Sequence, residues 1–200
     1  MRKIVIGMAL ASTVMATPAL ARNDSWYVEL DFGPMIVENS TFDTAGSPLN
    51  TGTGEHIWIA GSSRVLVQNS KFIRAGHASI SIIDDNRNGG RSSNNVIRNN
   101  VVFDNARVGG RGDGILISSG AGNTAYNNVV RGNQVGIWVD YNASSSSLYH
   151  NTIVGNHGEF GIFIGAATSG TIVRNNIVYA NARNVLENRG SGGAVDHNLV

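Results

Sequence analysis

HNTIVGNHGEFGIFI, residues 150–164, decides the fold once it is set beside VRNNIVYANARNV at 173–185 and DHNLV at 196–200. Each stretch holds one phrase: apolar, any residue, Asn or His, Asn, any residue, apolar. It reads Leu148-Tyr149-His150-Asn151-Thr152-Ile153, then Val173-Arg174-Asn175-Asn176-Ile177-Val178, then Val195-Asp196-His197-Asn198-Leu199-Val200. Working outward, the phrase returns in looser form as Val37-Glu38-Asn39-Ser40-Thr41-Phe42 and Val67-Gln68-Asn69-Ser70-Lys71-Phe72. Ile97-Arg98-Asn99-Asn100-Val101-Val102 and Ala125-Tyr126-Asn127-Asn128-Val129-Val130 complete the set. The third positions are spaced by 30, 30, 28, 23, 25 and 22 residues. Recurrence at such a period is the mark of a stacked repeat, in which each unit buries its apolar face against the next.

Other positions travel with the phrase. Asn105, Asn133, Asn156 and Asn181 stand six residues after the third position. A second apolar pair follows with one residue between: Ile80 with Ile82, Ile115 with Ile117, Ile137 with Val139, Ile162 with Ile164. Val185 continues the series with Glu187 in the second place. β-Branched residues at period two are strands with one face buried. The chain is therefore expected to be all-β, a single-stranded right-handed parallel β-helix of about seven coils, with three short strands per coil. Inward Val, Ile and Phe contribute roughly 1.5–3 kcal/mol each when fully buried. The third-position asparagines, Asn69, Asn99, Asn127 and Asn175, are expected to align in a hydrogen-bonded column, with His150 and His197 replacing asparagine there. Leucine-rich repeats and left-handed hexapeptide helices share the repeat logic, but the chain lacks dense leucines, a helical period and six-residue units.

Composition bounds the partners. Arg2 and Lys3 precede an apolar run from Ile4 to Ala16 and the small-residue sequence Ala19-Leu20-Ala21, the pattern of an export signal. Residues 1–21 are read as a signal peptide and 22–200 as the β-helix domain, secreted or in the periplasm or cell envelope. The run is shorter than the roughly 20 residues that span a bilayer, so no transmembrane segment is expected after cleavage. Losing Arg2 and Lys3 lowers the formal charge of +1 by two, to −1, in a chain only 14% charged. That balance gives no footprint for nucleic acid. With no cysteine and 25 glycines, stability must come from a periodic hydrogen-bonded core. The seventh copy breaks off at Val200, so the domain is read as lacking its C-terminal cap.

The repeated stretches quoted above resemble the parallel β-helix repeat proteins of the pectate-lyase-like superfamily over residues 36–200. The resemblance implies a polysaccharide groove on the sheet written Gly-Ile-x-Ile, with lyase, hydrolase or epimerase action on an acidic polysaccharide. The alternative is a non-catalytic carbohydrate-binding or adhesive surface protein. By phase, Ser81, Leu116, Trp138, Phe163 and Leu186 point outward from that sheet, either as an exposed apolar strip or beneath a covering loop. Trp138, Phe163, Asp140, Tyr141 and His157 are the candidate sugar-binding residues, since aromatic faces pack on sugar C–H faces. Asp113 and Glu159, placed on neighbouring coils, are a candidate acid and base for glycoside hydrolysis. Arg111 or His77 are candidate bases for proton abstraction beside a uronate carboxyl group, as in the resembled lyases.

The match to active members is partial. GRGDGI (110–115) resembles a polygalacturonase segment only at Asp113-Gly114, and Gly76-His77 falls upstream of it rather than downstream. A straightforward polygalacturonase is excluded. No cofactor is expected and no metal site is assigned. Asp84-Asp85 would be the place for calcium, but the surrounding DDNRNGG reads as a polar turn. Ser144–Ser147 reads as a flexible loop.

Overall fold

The computed structural model describes residues 35–45, 54–84, 91–105 and 112–200; the signal-peptide expectation and Arg111 lie outside them. The first coil runs through β1 (Ile36–Glu38), β2 (Thr41–Ala45) and β3 (Ile57–Ala60). The second has β4 (Leu66–Gln68), β5 (Lys71–Ala75) and β6 (Ala78–Ile83), and the third β7 (Val96–Arg98), β8 (Val101–Phe103) and β9 (Asp113–Ile117). Next come β10 (Thr124–Tyr126), β11 (Val129–Arg131) and β12 (Val135–Val139), then β13 (Ser147–Tyr149), β14 (Thr152–Val154) and β15 (Phe160–Ile164). The sixth coil holds β16 (Ile172–Arg174), β17 (Ile177–Tyr179) and β18 (Asn184–Asn188), and β19 (Ala194–Asp196) begins a seventh. First strands stack into a seven-stranded sheet A, second strands into sheet B and third strands into sheet C, six strands each. All pairings are parallel. This is a parallel β-helix.

Register follows the apolar period. Val67, Ile97, Ala125, Leu148 and Val173 sit directly above one another in sheet A, all fully buried. In sheet C the inward row is Ile57, Ile80, Ile115, Ile137, Ile162 and Leu186. Leu186 therefore points into the core, not outward as the sequence phase suggested, and Glu187 takes the outward place opposite Phe163. Each coil reaches sheet C through a connection of different length, so counting from Val185 slipped the phase by one.

The corners explain why the chain turns where it does. Each is a two-residue unit: a residue at positive φ, then a small or amide-bearing residue turned inward. At the A–B corner the first residue is Asn39, Asn69, Asn99, Asn127, His150, Asn175 or His197, with φ between 50° and 56°. Asparagine tolerates this left-handed region better than most residues. These residues do align in a column, but their side chains are exposed. The amide ladder is built one position later, by Asn100, Asn128, Asn151, Asn176 and Asn198, and this corrects the expected register. Along it each Oδ1 accepts from the backbone N–H of the preceding rung at 2.9–3.0 Å. His150 and His197 are bend residues, and the amides beside them carry the ladder.

The B–C corner repeats the device with Asn105, Asn133, Asn156 and Asn181, bonded at 3.0–3.2 Å. A shorter C–A ladder joins Asn95 to Asn123 at 2.9 Å; Ser146 and Thr171 fill the same column on the next rungs, but their hydroxyls make no hydrogen bond. Ser144–Ser147 is part of this corner, not a flexible loop. Ser144 bridges Ala121 and Ser169, Ser145 has φ 48°, and Ser146 is fully buried. A polar group removed from water costs free energy unless it finds a partner, so a chain with this many buried polar atoms holds together through its ladders.

Candidate functional site

Sheet C turns at glycine. A Cβ on Gly136 would lie 2.4 Å from both the Gly161 carbonyl oxygen and the Ile153 side chain, so position 136 faces inward where a side chain has no room. The residue before it, Val135, is thereby thrown outward, in one row with Ala78, Asp113 and Phe160. The next outward row is Trp58, Ser81, Leu116, Trp138, Phe163 and Glu187. Two rows converge on a small apolar cluster outside the main core: Val135, Phe160 and Phe163, with Trp138 packed against it. Phe163 packs with its ring tilted 4.6 Å from Trp138 and 4.8 Å from Phe160, and the Arg189 guanidinium lies 5.3 Å from its ring centre.

The expected strip is therefore mostly covered. Phe163, Leu116 and Ser81 are buried, whereas Trp138 is half-buried. Its indole Nε1 donates to Asp140 Oδ2 at 3.2 Å, and Asp140 Oδ1 accepts from the Tyr141 N–H at 2.7 Å. Asp140 can lie flat there because the neighbouring rung offers Gly165, whose Cβ would fall 1.8 Å from the carboxylate. Tyr141 is exposed at the rim. Trp138 and Asp140 thus form one platform, with the Tyr141 side chain exposed beside it.

The candidate catalytic residues are not assembled. Asp113 lies in β9 and Glu159 immediately before β15, with β12 between them. Two strand spacings separate them by roughly 10 Å, so they are not on neighbouring coils. Asp113 is fully buried. Glu159 is exposed and faces Arg183 at 3.9 Å. His77 is held by Glu55, Nδ1 to Oε1 at 2.8 Å, two coils from Glu159's partner strand β12. His157 is exposed, and its N–H donates to the Asn133 carbonyl at 2.8 Å. Among the described residues no three His, Cys, Asp or Glu side chains are grouped to hold a metal ion; Asp85 lies outside them.

Sheet A carries a second feature. On its outer face the row Glu38, Gln68, Arg98, Tyr126, Tyr149, Arg174, Asp196 runs the length of the helix. Glu38 Oε2 accepts from Gln68 Nε2 at 2.6 Å, Gln68 Oε1 accepts from Arg98 Nε at 2.8 Å, and Arg98 Nη1 donates to Tyr126 Oη at 2.7 Å. Tyr126 and Tyr149 stack at 4.9 Å with planes 6° apart. Desolvation, and then the neighbouring Tyr126, push the Tyr149 phenol up, against the pull of Arg98. Farther along, Arg174 grips Asp196 with Nε and Nη2 and holds its carboxyl well below the usual range, with His197 assisting. Between this row and the C–A corner lies an open groove of about 430 Å³, floored by Leu66, Val96 and Thr124 and lipped by Arg64 and Asn94.

The pattern described as the right handed beta helix region matches residues 28–153 and, overlapping, 111–200. The chain belongs to the right-handed β-helix family. No curated protein matches it. In this β-helix protein the family membership fixes the stacked architecture and leaves the chemistry to the faces. Of the residues picked out in sequence, Trp138, Asp140, Tyr141 and Phe163 come together on sheet C. Asp113, Glu159, His77 and His157 do not form one constellation. The sheet A groove of the β-helix protein was missed, because its wall occupies the position read in every repeat as any residue.

Proposed function

We propose that this β-helix protein binds an extended polysaccharide and holds it without cutting it, outside the cytoplasm. The observation that carries the reading is the Trp138 platform: a half-buried indole held by Asp140 and by the Phe160–Phe163 cluster, with an exposed Tyr141 beside it. A rigid aromatic with polar groups at its edge is the usual partner for the C–H face and hydroxyls of a sugar ring. Resemblance to the pectate-lyase-like superfamily supports a sugar polymer as the ligand, and the stretch from Arg2 to Ala21 supports export. Holding is favoured over cleavage because paired carboxylates must lie roughly 5–10 Å apart with both groups facing one bond, and Asp113 is buried while Glu159 points to solvent two rungs away.

Incubation with polygalacturonate, alginate and chondroitin tests this. Retarded migration of the protein in gels containing one of these polymers is expected, weakened by Trp138→Ala, with no new reducing ends and no ultraviolet-absorbing unsaturated ends. Cleavage that disappears in Asp113→Ala or Glu159→Ala would replace the binding reading with a catalytic one.

A further inference from the structure

We infer that the groove on sheet A is a second glycan subsite, which takes the carboxylate of a uronic-acid unit and so sets a preference for acidic chains. The inference rests on the polysaccharide-binding reading and deepens it on a face that the sequence resemblance does not point to.

Charge is the first argument. Arg174 and Arg98 occupy the same outward row, and Arg174 is neutralised by a two-bond grip on Asp196. Arg98 is treated differently. Gln68 stands between it and Glu38, its Nε2 turned to the acid and its Oε1 to the guanidinium. Arg98 is therefore oriented but not neutralised. Arg64, on the opposite lip of the groove, is exposed, and among the described residues no carboxylate pairs with either arginine. Two uncompensated guanidinium groups facing one groove are complementary to an anion.

Geometry is the second. Arg98 uses Nε and Nη1 within the wall, which holds the planar group still and leaves its remaining N–H groups for a ligand. An arginine already held by the protein loses little freedom on binding, and its fork matches a planar carboxylate. The floor, Leu66 and Val96, is apolar, suited to the C–H face of a sugar ring. The Tyr149 phenol on the wall can exchange hydrogen bonds with ring hydroxyls. Because the floor residues come from consecutive coils, the groove runs along the helix axis at one rung per roughly 4.8 Å. A polymer of linked rings can therefore lie in it lengthwise.

The test uses the intact protein with hexagalacturonate, its methyl ester and a neutral glucan hexamer, by calorimetry at low salt. Hexagalacturonate is expected to bind at least tenfold more tightly than its ester, with the preference lost in Arg98→Gln and reduced in Arg64→Gln. Trp138→Ala, a change on sheet C, is expected to leave the preference of the sheet A groove for the acid over its ester intact. Equal affinity of the wild-type protein for the acid and its ester overturns the inference without any variant, so a misfolded Arg98→Gln cannot rescue it. An acid preference unchanged in a folded Arg98→Gln/Arg64→Gln double variant overturns it as well. Failure of the wild-type protein to bind any of the three hexamers or the parent polymer overturns the polysaccharide-binding reading itself.

Discussion

Asn151 closes two hydrogen bonds of Asn128 with one oxygen. Its Oδ1 accepts from the Asn128 backbone N–H and from Asn128 Nδ2, both at 3.0 Å, while its own Nδ2 donates to the Ala125 carbonyl at 2.9 Å. Each rung thereby satisfies the one before it, inside a core where water cannot substitute.

Asn151→Ala breaks this chain at its middle. It leaves the Asn128 N–H and the Ala125 carbonyl buried without partners, at about 1–3 kcal/mol each. A loss of about 3 kcal/mol in urea unfolding is expected. His150→Gly, one residue away, is expected to change stability by less than about 0.5 kcal/mol, because the bend needs only the left-handed backbone that glycine accepts readily. Equal costs for the two would place the ladder at the wrong position.

Gly136→Ala should be among the most harmful single-methyl changes in the chain. The added carbon would meet the Gly161 carbonyl and Ile153 at 2.4 Å, and backbone on the neighbouring rung cannot step aside. A loss of about 2–3 kcal/mol is expected from overpacking, seen as a lower thermal midpoint. Gly155→Ala, whose Cβ would meet nothing within 4 Å, has only its φ of 62° against it and should cost about 1–2 kcal/mol.

His56 makes the first coils sensitive to acid. Its ring is buried among Phe42 and Phe72, with Nδ1 3.3 Å from Ser79 Oγ and Nε2 without a partner. Burial lowers its pKa to about 4, against a smaller upward pull from Asp43. The folded state thus holds the ring neutral while the unfolded chain protonates near pH 6.5. Above that pH both forms are neutral and stability is unaffected; as pH falls from about 6.5 to about 4 stability is lost, by about 3 kcal/mol in all. His56→Phe should remove this slope. A His56→Phe protein whose unfolding midpoint drops as much as the wild type's between pH 7 and 4.5 would falsify the assignment.

Thr171→Val offers the opposite sign. Thr171 continues the C–A corner column, but its Oγ1 is buried without a partner. Replacing an unsatisfied hydroxyl by a methyl group of like shape should gain about 1 kcal/mol. A destabilised Thr171→Val would mean that the hydroxyl is bonded in solution.

Much of the architecture was legible because a stacked fold writes its geometry into the period. Period-two β-branched runs marked the strands, and the recurring phrase set their register. The ladder was misplaced by one residue because Asn99-Asn100, Asn127-Asn128 and Asn175-Asn176 show two identical letters with opposite orientations. His150-Asn151 and His197-Asn198 held the signal: histidine stands where the side chain meets solvent, and asparagine remains where it must bond inward. The platform at Trp138 was legible from phase, but the burial of Phe163 was not, since Phe160 packs on it from three residues earlier in the same strand and Arg189 approaches it from the next rung. Asp113 and Glu159 looked adjacent because sequence phase places residues on a face and does not count the rungs between them. The Arg98–Tyr126–Tyr149 wall has no motif at all, being assembled from one unconstrained position in successive repeats.

Ladder partners are separated by 30, 28, 23, 25 and 22 residues along the A–B corner, yet their hydrogen bonds keep one length. The rails therefore index turns and are blind to contour length. Between sheets B and C and between C and A, though not at the two-residue A–B corner, excursions can be grown, trimmed or exchanged without re-threading what lies above or below, which makes the scaffold tolerant of insertional change and a natural backbone for grafting new loops.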